Sequence, residues 1–183
     1  LPITYHAGPG PAQARVKLAF EWQNRPLHNV IVRIDGSTFP DEWIIFGNHH
    51  DAWVNGADDP ISGAVALMET GRGLAELLKT GWRPKRTIIL ALWDGEEWGL
   101  LGSTEWAEKH AAELRDKAAV YINSDSSGKG WLNVGGSHGL QQLMTEVAGE
   151  VMDPRTGKPV AEESRRRQVM SVAEGDKAAR EKD

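Results

Sequence analysis

The sequence predicts an α/β fold, a three-layer sandwich with a mostly parallel central sheet and helices on both faces. Three observations predict it. Strand-like and helix-like segments alternate along the body of the chain. The central strand candidates are apolar on both faces, as in Trp43-Ile44-Ile45-Phe46-Gly47, which is how a parallel strand covered by helices reads. The segments between them have helical periodicity, so strand follows helix follows strand, the order that right-handed crossovers turn into a parallel sheet.

Each element has its own signal. Val16 to Trp22 (VKLAFEW) alternates apolar and polar residues with period two and reads as a half-buried strand. His28 to Ile34 (HNVIVRI) reads as a second strand, ended by the turn Asp35-Gly36-Ser37. These two lie close in sequence and suggest an antiparallel hairpin at one sheet edge. Trp43 to Gly47 is the next strand. Ser62 to Thr80 reads as a helix, with Leu67, Leu74, Leu77 and Leu78 at helical spacing and Gly81 as its stop. Arg86 to Trp93 (RTIILALW) is the most apolar strand. Leu100 to Lys117 reads as a helix, and Ala118 to Asn123 (AAVYIN) as another buried strand. Trp131 to Val134 suggests a short edge strand, His138 to Val151 a helix, and Asp153 to Gly157 a turn.

Composition bounds the function. The chain has 183 residues, 40% hydrophobic and 26% charged, which fits one ordinary globular domain. It contains no cysteine, which excludes disulfide staples, thiolate metal sites and a cysteine nucleophile. The net charge is −5, so no broad basic field invites nucleic acid. No run of about 18 apolar residues is present that would span a membrane. Residues 1–153 hold 20 acids against 13 bases, whereas residues 154–183 hold 6 against 8 and few large apolar residues. The last stretch therefore reads as a solvated charged helix or as disorder. Leu1 is not a methionine, and the opening residues carry no basic leader, so the chain reads as cut from something longer, with its compartment open.

The acids of the body collect after the central strands. Trp43–Gly47 is followed by Asn48-His49-His50-Asp51 and then Asp58-Asp59-Pro60. Arg86–Trp93 is followed by Asp94-Gly95-Glu96-Glu97, and Ala118–Asn123 by Ser124-Asp125. Ligands in open α/β sheets bind beyond the carboxyl ends of the strands, so three strands deliver His, Asp and Glu to the place where a site belongs. Carboxylates so close repel one another unless a cation joins them. One histidine with several carboxylates and no thiolate suits catalytic zinc, and this many oxygen donors suits two ions bridged by one carboxylate. His49 offers a ring nitrogen. Asp51 is placed to accept its other ring N–H, and Asp59 to bridge. Of Glu96 and Glu97, one binds metal and the other is the general base. Asp125 closes the set. His110 and His138 lie away from these strand ends and read as surface. Trp53 and Trp98 flank the acidic motifs, where they either wall the site or pack in the core.

The stretches Gly47 to Gly63 (GNHHDAWVNGADDPISG), Leu92 to Ala107 (LWDGEEWGLLGSTEWA) and Tyr121 to Asp125 (YINSD) resemble the M28 zinc peptidases. Within them they resemble the branch that contains glutamate carboxypeptidase II and the transferrin receptor. The resemblance runs from roughly residue 28 to residue 150. It implies a zinc-exopeptidase fold and two zinc ions. His49 and Asp125 would be ligands of one zinc, Asp59 the bridging carboxylate and Glu97 a ligand of the second. Glu96 would be the general acid/base, and Asp51 the aspartate behind His49. The family often has a cis peptide after the bridging aspartate, which Asp59-Pro60 can adopt at modest cost. The implied activity is hydrolysis of a terminal peptide bond, with a peptide as partner and a homodimer for the intact protein. The competing reading is a non-catalytic binding and dimerisation module of the transferrin-receptor kind. That receptor has lost zinc ligands, whereas the four ligand positions covered here and the base are intact, which favours the enzyme. The family's fifth ligand is a histidine further along, in a stretch this chain lacks. The resemblance therefore implies a junction at 1–23, a partial peptidase domain at 24–153 and a charged tail at 154–183. It also implies weak metal occupancy and little activity for this piece alone.

Overall fold

The sheet is built around β2 (Phe39–His49), whose middle is the apolar run Trp43 to Gly47. The structure, a computed structural model, describes residue 10 and residues 15–128 and 130–180. Four strands lie in the order β1–β3–β2–β4, where β1 is Val30–Ile34, β3 is Arg86–Trp93 and β4 is Ala118–Asn123. β2 pairs in parallel with β3 on one side and β4 on the other. β1 runs antiparallel to β3, with Val30 opposite Leu92 and Ile34 opposite Ile88. Because β3 and β4 flank β2, the two crossovers travel in opposite directions. With the usual right hand for each, their helices fall on opposite faces. On one face is α1 (Ile61–Lys79), where Gly63 meets Asn48 and Gly71 faces Leu90. On the other are α2 (Leu101–Lys109) and α3 (Ala111–Lys117), which bring Trp106 and Leu114 onto the core of Trp43, Ile45 and Ile89. The expected three-layer α/β sandwich is observed.

The helix α1 buries Gly63, Ala64 and Leu67, the i, i+1, i+4 stripe of one helix face. It stops at Thr80 because Gly81, at φ +91, turns the chain away and returns its N–H to the Leu78 carbonyl at 3.1 Å. Leu67 is 4% exposed. Leu67→Ala is expected to lower the stability to urea by about 2–5 kcal/mol. A loss below about 1 kcal/mol would mean that α1 does not supply the core of its layer.

Several expectations change. Residues 15–29 carry no regular secondary structure, and Val16, Leu18, Phe20 and Trp22 are exposed. The alternating pattern there has no strand beside it, since β1 takes β3 as its partner, and an unpaired strand has no ladder to hold it. The predicted hairpin is therefore replaced by the β1–β3 pair. The helix predicted over Leu100 to Lys117 is two helices. Leu100 sits at φ +61 before α2, and the chain breaks again at His110 (φ −104, ψ 17). That break lets Trp106 and Leu114 both reach the same core, a packing gain that outweighs helical propensity. Trp131 to Val134 is not a strand. The Trp131 ring instead has the Arg155 and Arg167 guanidiniums each 4.3 Å from its centre, a cation–π arrangement invisible in the pattern. The helix from His138 opens with a 3-10 turn (His138–Leu140) before α4 (Gln141–Glu150). The charged tail is helical as α5 (Val160–Arg180). Residues 1–9 and 11–14 of the expected junction, and 181–183 of the tail, lie outside the described residues. Among the described residues no helix is long and apolar enough to cross a membrane.

The turn from Asp153 joins α4 to α5. Asp153 is 4% exposed and its carboxylate accepts the Arg155 backbone N–H at 2.8 Å and the Arg155 guanidinium at 2.7 Å and 3.1 Å. These donors pull its carboxyl from 3.8 to about 2. A carboxylate so lowered contributes stability in full above about pH 4, and loses it as pH falls through about 2. The difference in melting temperature between wild type and Asp153→Asn is thus expected to be constant above about pH 4 and to close toward pH 2. A difference independent of pH would contradict this account of the turn.

Candidate active site

The parallel strands place the candidate residues at one edge. His49 is the last residue of β2, and the ladder continues past the strand ends: His50 N–H donates to the Trp93 carbonyl at 2.9 Å and Ser124 N–H to the Gly47 carbonyl at 3.0 Å. The segments after β2, β3 and β4 are thereby held side by side. Asn48 locks them further. It is fully buried, its Nδ2 donates to the His49 carbonyl at 2.7 Å and the Pro60 carbonyl at 3.1 Å, and its Oδ1 accepts the Ser124 hydroxyl at 3.0 Å. Gly63 lets α1 approach, since a Cβ there would overlap Asn48 Oδ1 and the Asp125 carbonyl. The Asp59–Pro60 peptide is cis, as the resemblance implied. On the other side Asn29 accepts the Asp94 N–H at 3.0 Å and donates to the Gly102 carbonyl at 2.8 Å, fixing the loop that carries Glu96.

His49 is 3% exposed. Its Nδ1 lies 3.0 Å from the backbone carbonyl of Asp51 and 3.4 Å from that residue's carboxylate. A carbonyl only accepts, so Nδ1 carries the proton. The carbonyl, rather than the side chain alone, thus holds the ring, a detail the sequence does not carry. His49 Nε2 then points at Asp125 Oδ1 (2.8 Å) and Asp59 Oδ1 (3.1 Å), with Glu96 Oε2 at 3.9 Å. A lone pair facing carboxylates is repulsive unless a cation stands there. Burial alone would lower the pKa of His49, but the Asp125 hydrogen bond and the charges of Glu96 and Asp125 raise it on balance, as negative charge gathered around one ring nitrogen must. One ligand atom each from His49, Asp59 and Asp125 lies within 4.8 Å of the others. An imidazole nitrogen with two carboxylate oxygens, in a chain without cysteine, fits zinc.

The other candidates divide. The Asp51 carboxylate accepts the backbone N–H of Glu96 at 2.9 Å and of Glu97 at 3.2 Å. Burial would raise its pKa, yet these two N–H donors lower it on balance, so Asp51 stays ionised. Glu96 is raised, first by burial and then by the charges of Asp125, Glu97 and Asp51, with His49 opposing. Glu97 has its backbone in this network, but its carboxylate does not join the His49–Asp59–Asp125 group. A cavity of about 630 Å³ is lined by His49, Glu96 and Asp125 together with Trp93, Trp106 and Leu114. Asn48, Ser124, Gly63 and Asn29 are positioning residues that sequence reasoning passed over. The one signal for them is an asparagine closing an apolar strand run, which is costly to bury unless it is hydrogen-bonded.

Comparison with known proteins decides the family. Residues 29–171 match the model for peptidase family M28, which spans every residue of the site. The chain belongs to peptidase family M28. It is 44% identical over 152 residues to the probable glutamate carboxypeptidase LAMP1 of Arabidopsis thaliana, covering 82% of this chain and 22% of that protein. It is 40% identical over 166 residues to the aminopeptidase NAALADL1 of Mus musculus, covering 84% of this chain and 22% of that protein. It is 40% identical over 157 residues to the glutamate carboxypeptidase 2 homolog of Caenorhabditis briggsae, covering 83% of this chain and 20% of that protein. The chain thus spans about a fifth of the length of these curated relatives. The M28 resemblance of the three motif blocks, and its glutamate carboxypeptidase-like branch, are borne out. In this M28 chain the matched region begins just before β1 and ends within α5, leaving residues 15–28 outside it.

Proposed function

We propose that the chain carries four ligands and the general base of the metal centre of a zinc-dependent exopeptidase that hydrolyses a terminal peptide bond, the remaining ligand coming from the full-length protein. The observation that carries the reading is His49 Nε2 aimed between Asp125 (2.8 Å) and Asp59 (3.1 Å), with the raised Glu96 carboxylate 3.9 Å away. The exopeptidase class rests on the carboxypeptidase and aminopeptidase names of the relatives. His49, Asp59 and Asp125 would hold one zinc, and Asp59 with Glu97 a second. Zinc, when bound, supplies Lewis acidity toward the peptide carbonyl and toward water.

The rest is the work of the protein's own groups. Glu96 takes a proton from the attacking water on Oε2 and later gives it to the leaving amine. Its raised proton affinity suits both transfers, because a general base works best when its pKa nears the working pH. Asp51, kept ionised, holds the Glu96 and Glu97 backbones and lies beside the Nδ1 edge of His49, so the base and the ligand keep one geometry. The cavity beside them offers an apolar surface against which a peptide displaces water.

The test is zinc titration by calorimetry and a panel of carboxypeptidase and aminopeptidase substrates, both on the full-length protein. The reading expects zinc binding that is strongly weakened in His49→Ala, and release of a terminal residue. Absence of zinc binding together with absence of hydrolysis would favour the non-catalytic module instead.

A further inference from the structure

Two tryptophans beside the site belong neither to the core nor to the ligand group. Trp53 follows Asp51 by two residues, and Trp98 directly follows Glu97. Their rings pack on one another with centroids 4.8 Å apart and planes 53° apart. Both stay largely exposed, 61% and 70%, so burial in the core is not what brings them together. The loops that carry them supply Asp51 and Asp59 on one side and Glu96 and Glu97 on the other. Residues 50–60 and 94–100 are neither helix nor strand. The second loop takes positive φ at Gly95 (68), Gly99 (113) and Leu100 (61), and at Leu100 a side chain must bear it. Its own turn supplies part of the hold, with the Gly99 and Leu100 N–H groups on the Glu96 carbonyl at 2.9 Å and 2.8 Å, and contacts from outside the loop supply the rest. Two contacts cross between the loops. One is the Asp51 carboxylate on the Glu96 and Glu97 N–H groups at 2.9 Å and 3.2 Å. The other is the Trp53–Trp98 pair, one residue further along. Asn29 and His28 hold that loop at its ends, at Asp94 and Gly102, whereas the Trp53–Trp98 pair holds it at Trp98, beside Glu97.

We propose that the Trp53–Trp98 pair is a positioning clamp that fixes the Glu96 loop against the Asp51–Asp59 loop and so sets where Glu96 stands relative to His49, Asp59 and Asp125. The clamp's effect on metal and turnover rests on the reading of those residues as metal ligands and base. The two rings act through the loops and touch neither metal nor scissile bond. Their interaction is that of one aromatic pair, so its loss is felt as a modest change in how often the loops are in register.

The test uses Trp53→Ala, Trp98→Ala, the double variant and Trp98→Phe. Hydrogen exchange of the zinc-free chain reads the clamp without metal: both single variants are expected to speed exchange of the Glu96 and Glu97 amides about two- to tenfold, the size of an aromatic pair. Zinc affinity by chelator competition is expected to fall by a similar about two- to tenfold factor. The double variant should be no worse than the poorer single one, since either change already opens the clamp. Trp98→Phe, which keeps a ring, should stay within about twofold of wild type. In peptide hydrolysis kcat should fall and KM hold. A raised KM with unchanged amide exchange would make the rings a substrate wall and overturn the proposal. Additive losses, or loss of folding in either single variant, would overturn it too. If the wild-type chain takes up no zinc, the metal reading fails by itself, while amide exchange still decides whether the clamp exists.

Discussion

Glu96→Gln is expected to lower kcat for peptide hydrolysis by about 10²–10⁴-fold, the range for a lost general base, and to leave zinc affinity within about threefold of wild type. The amide has nearly the shape of the carboxylate and keeps its place in the loop, because Asp51 holds the backbone N–H and not the side chain. What it loses is the ability to take a proton. Glu96 is suited to that task by burial and by the negative charge of Asp125, Glu97 and Asp51, which together raise its proton affinity. Full-length protein assayed on its best substrate, beside a zinc determination on the same sample, gives both numbers. Turnover within tenfold of wild type would remove Glu96 from the role of base. A parallel collapse of zinc content would make it a ligand.

His49→Ala is expected to weaken zinc binding by more than about 100-fold, beyond the 10- to 100-fold typical of losing a group that stands behind a ligand. Asp51→Asn is the comparison, and its loss should fall inside that smaller range. The difference follows from position. His49 presents Nε2 to both Asp59 and Asp125 from a buried side chain at the end of β2, so its loss removes the one nitrogen donor of the group. Asp51 acts on the far side, through the ring's Nδ1 edge and through the Glu96 and Glu97 backbones. Calorimetric titration of the two variants measures both. Equal losses would mean that the site is held by the carboxylates with His49 as mere support.

The three-layer sheet was legible because its signals are local and strong: two-sided apolar runs at β2 and β3, a helical stripe ending at Gly81, and acids placed just past the strands. That His49, Glu96 and Asp125 come to one edge followed from parallel pairing, since parallel strands put their carboxyl ends together, while Asp59 is brought in through the Asn48–Pro60 contact. What was not legible depends on distant partners. Val16 to Trp22 has a strand's pattern, but a pattern cannot say that β1 pairs with β3 instead. The break at His110 reflects where Trp106 and Leu114 must reach, a tertiary demand with no signature in the run itself. Asn48 reads as an ordinary polar residue until Pro60 and Ser124 are brought to it. At Glu97 the sequence carries the carboxylate but not the backbone contact, its N–H donating to Asp51 at 3.2 Å.

The central claim is that His49, Asp59 and Asp125 bind zinc together. Diffraction data from zinc-soaked crystals of the full-length protein, collected on both sides of the zinc absorption edge, test it most directly. The account predicts an anomalous peak about 2.0–2.2 Å from His49 Nε2 and from a carboxylate oxygen of each aspartate. A map without a peak there, or with zinc bound only elsewhere, would contradict it.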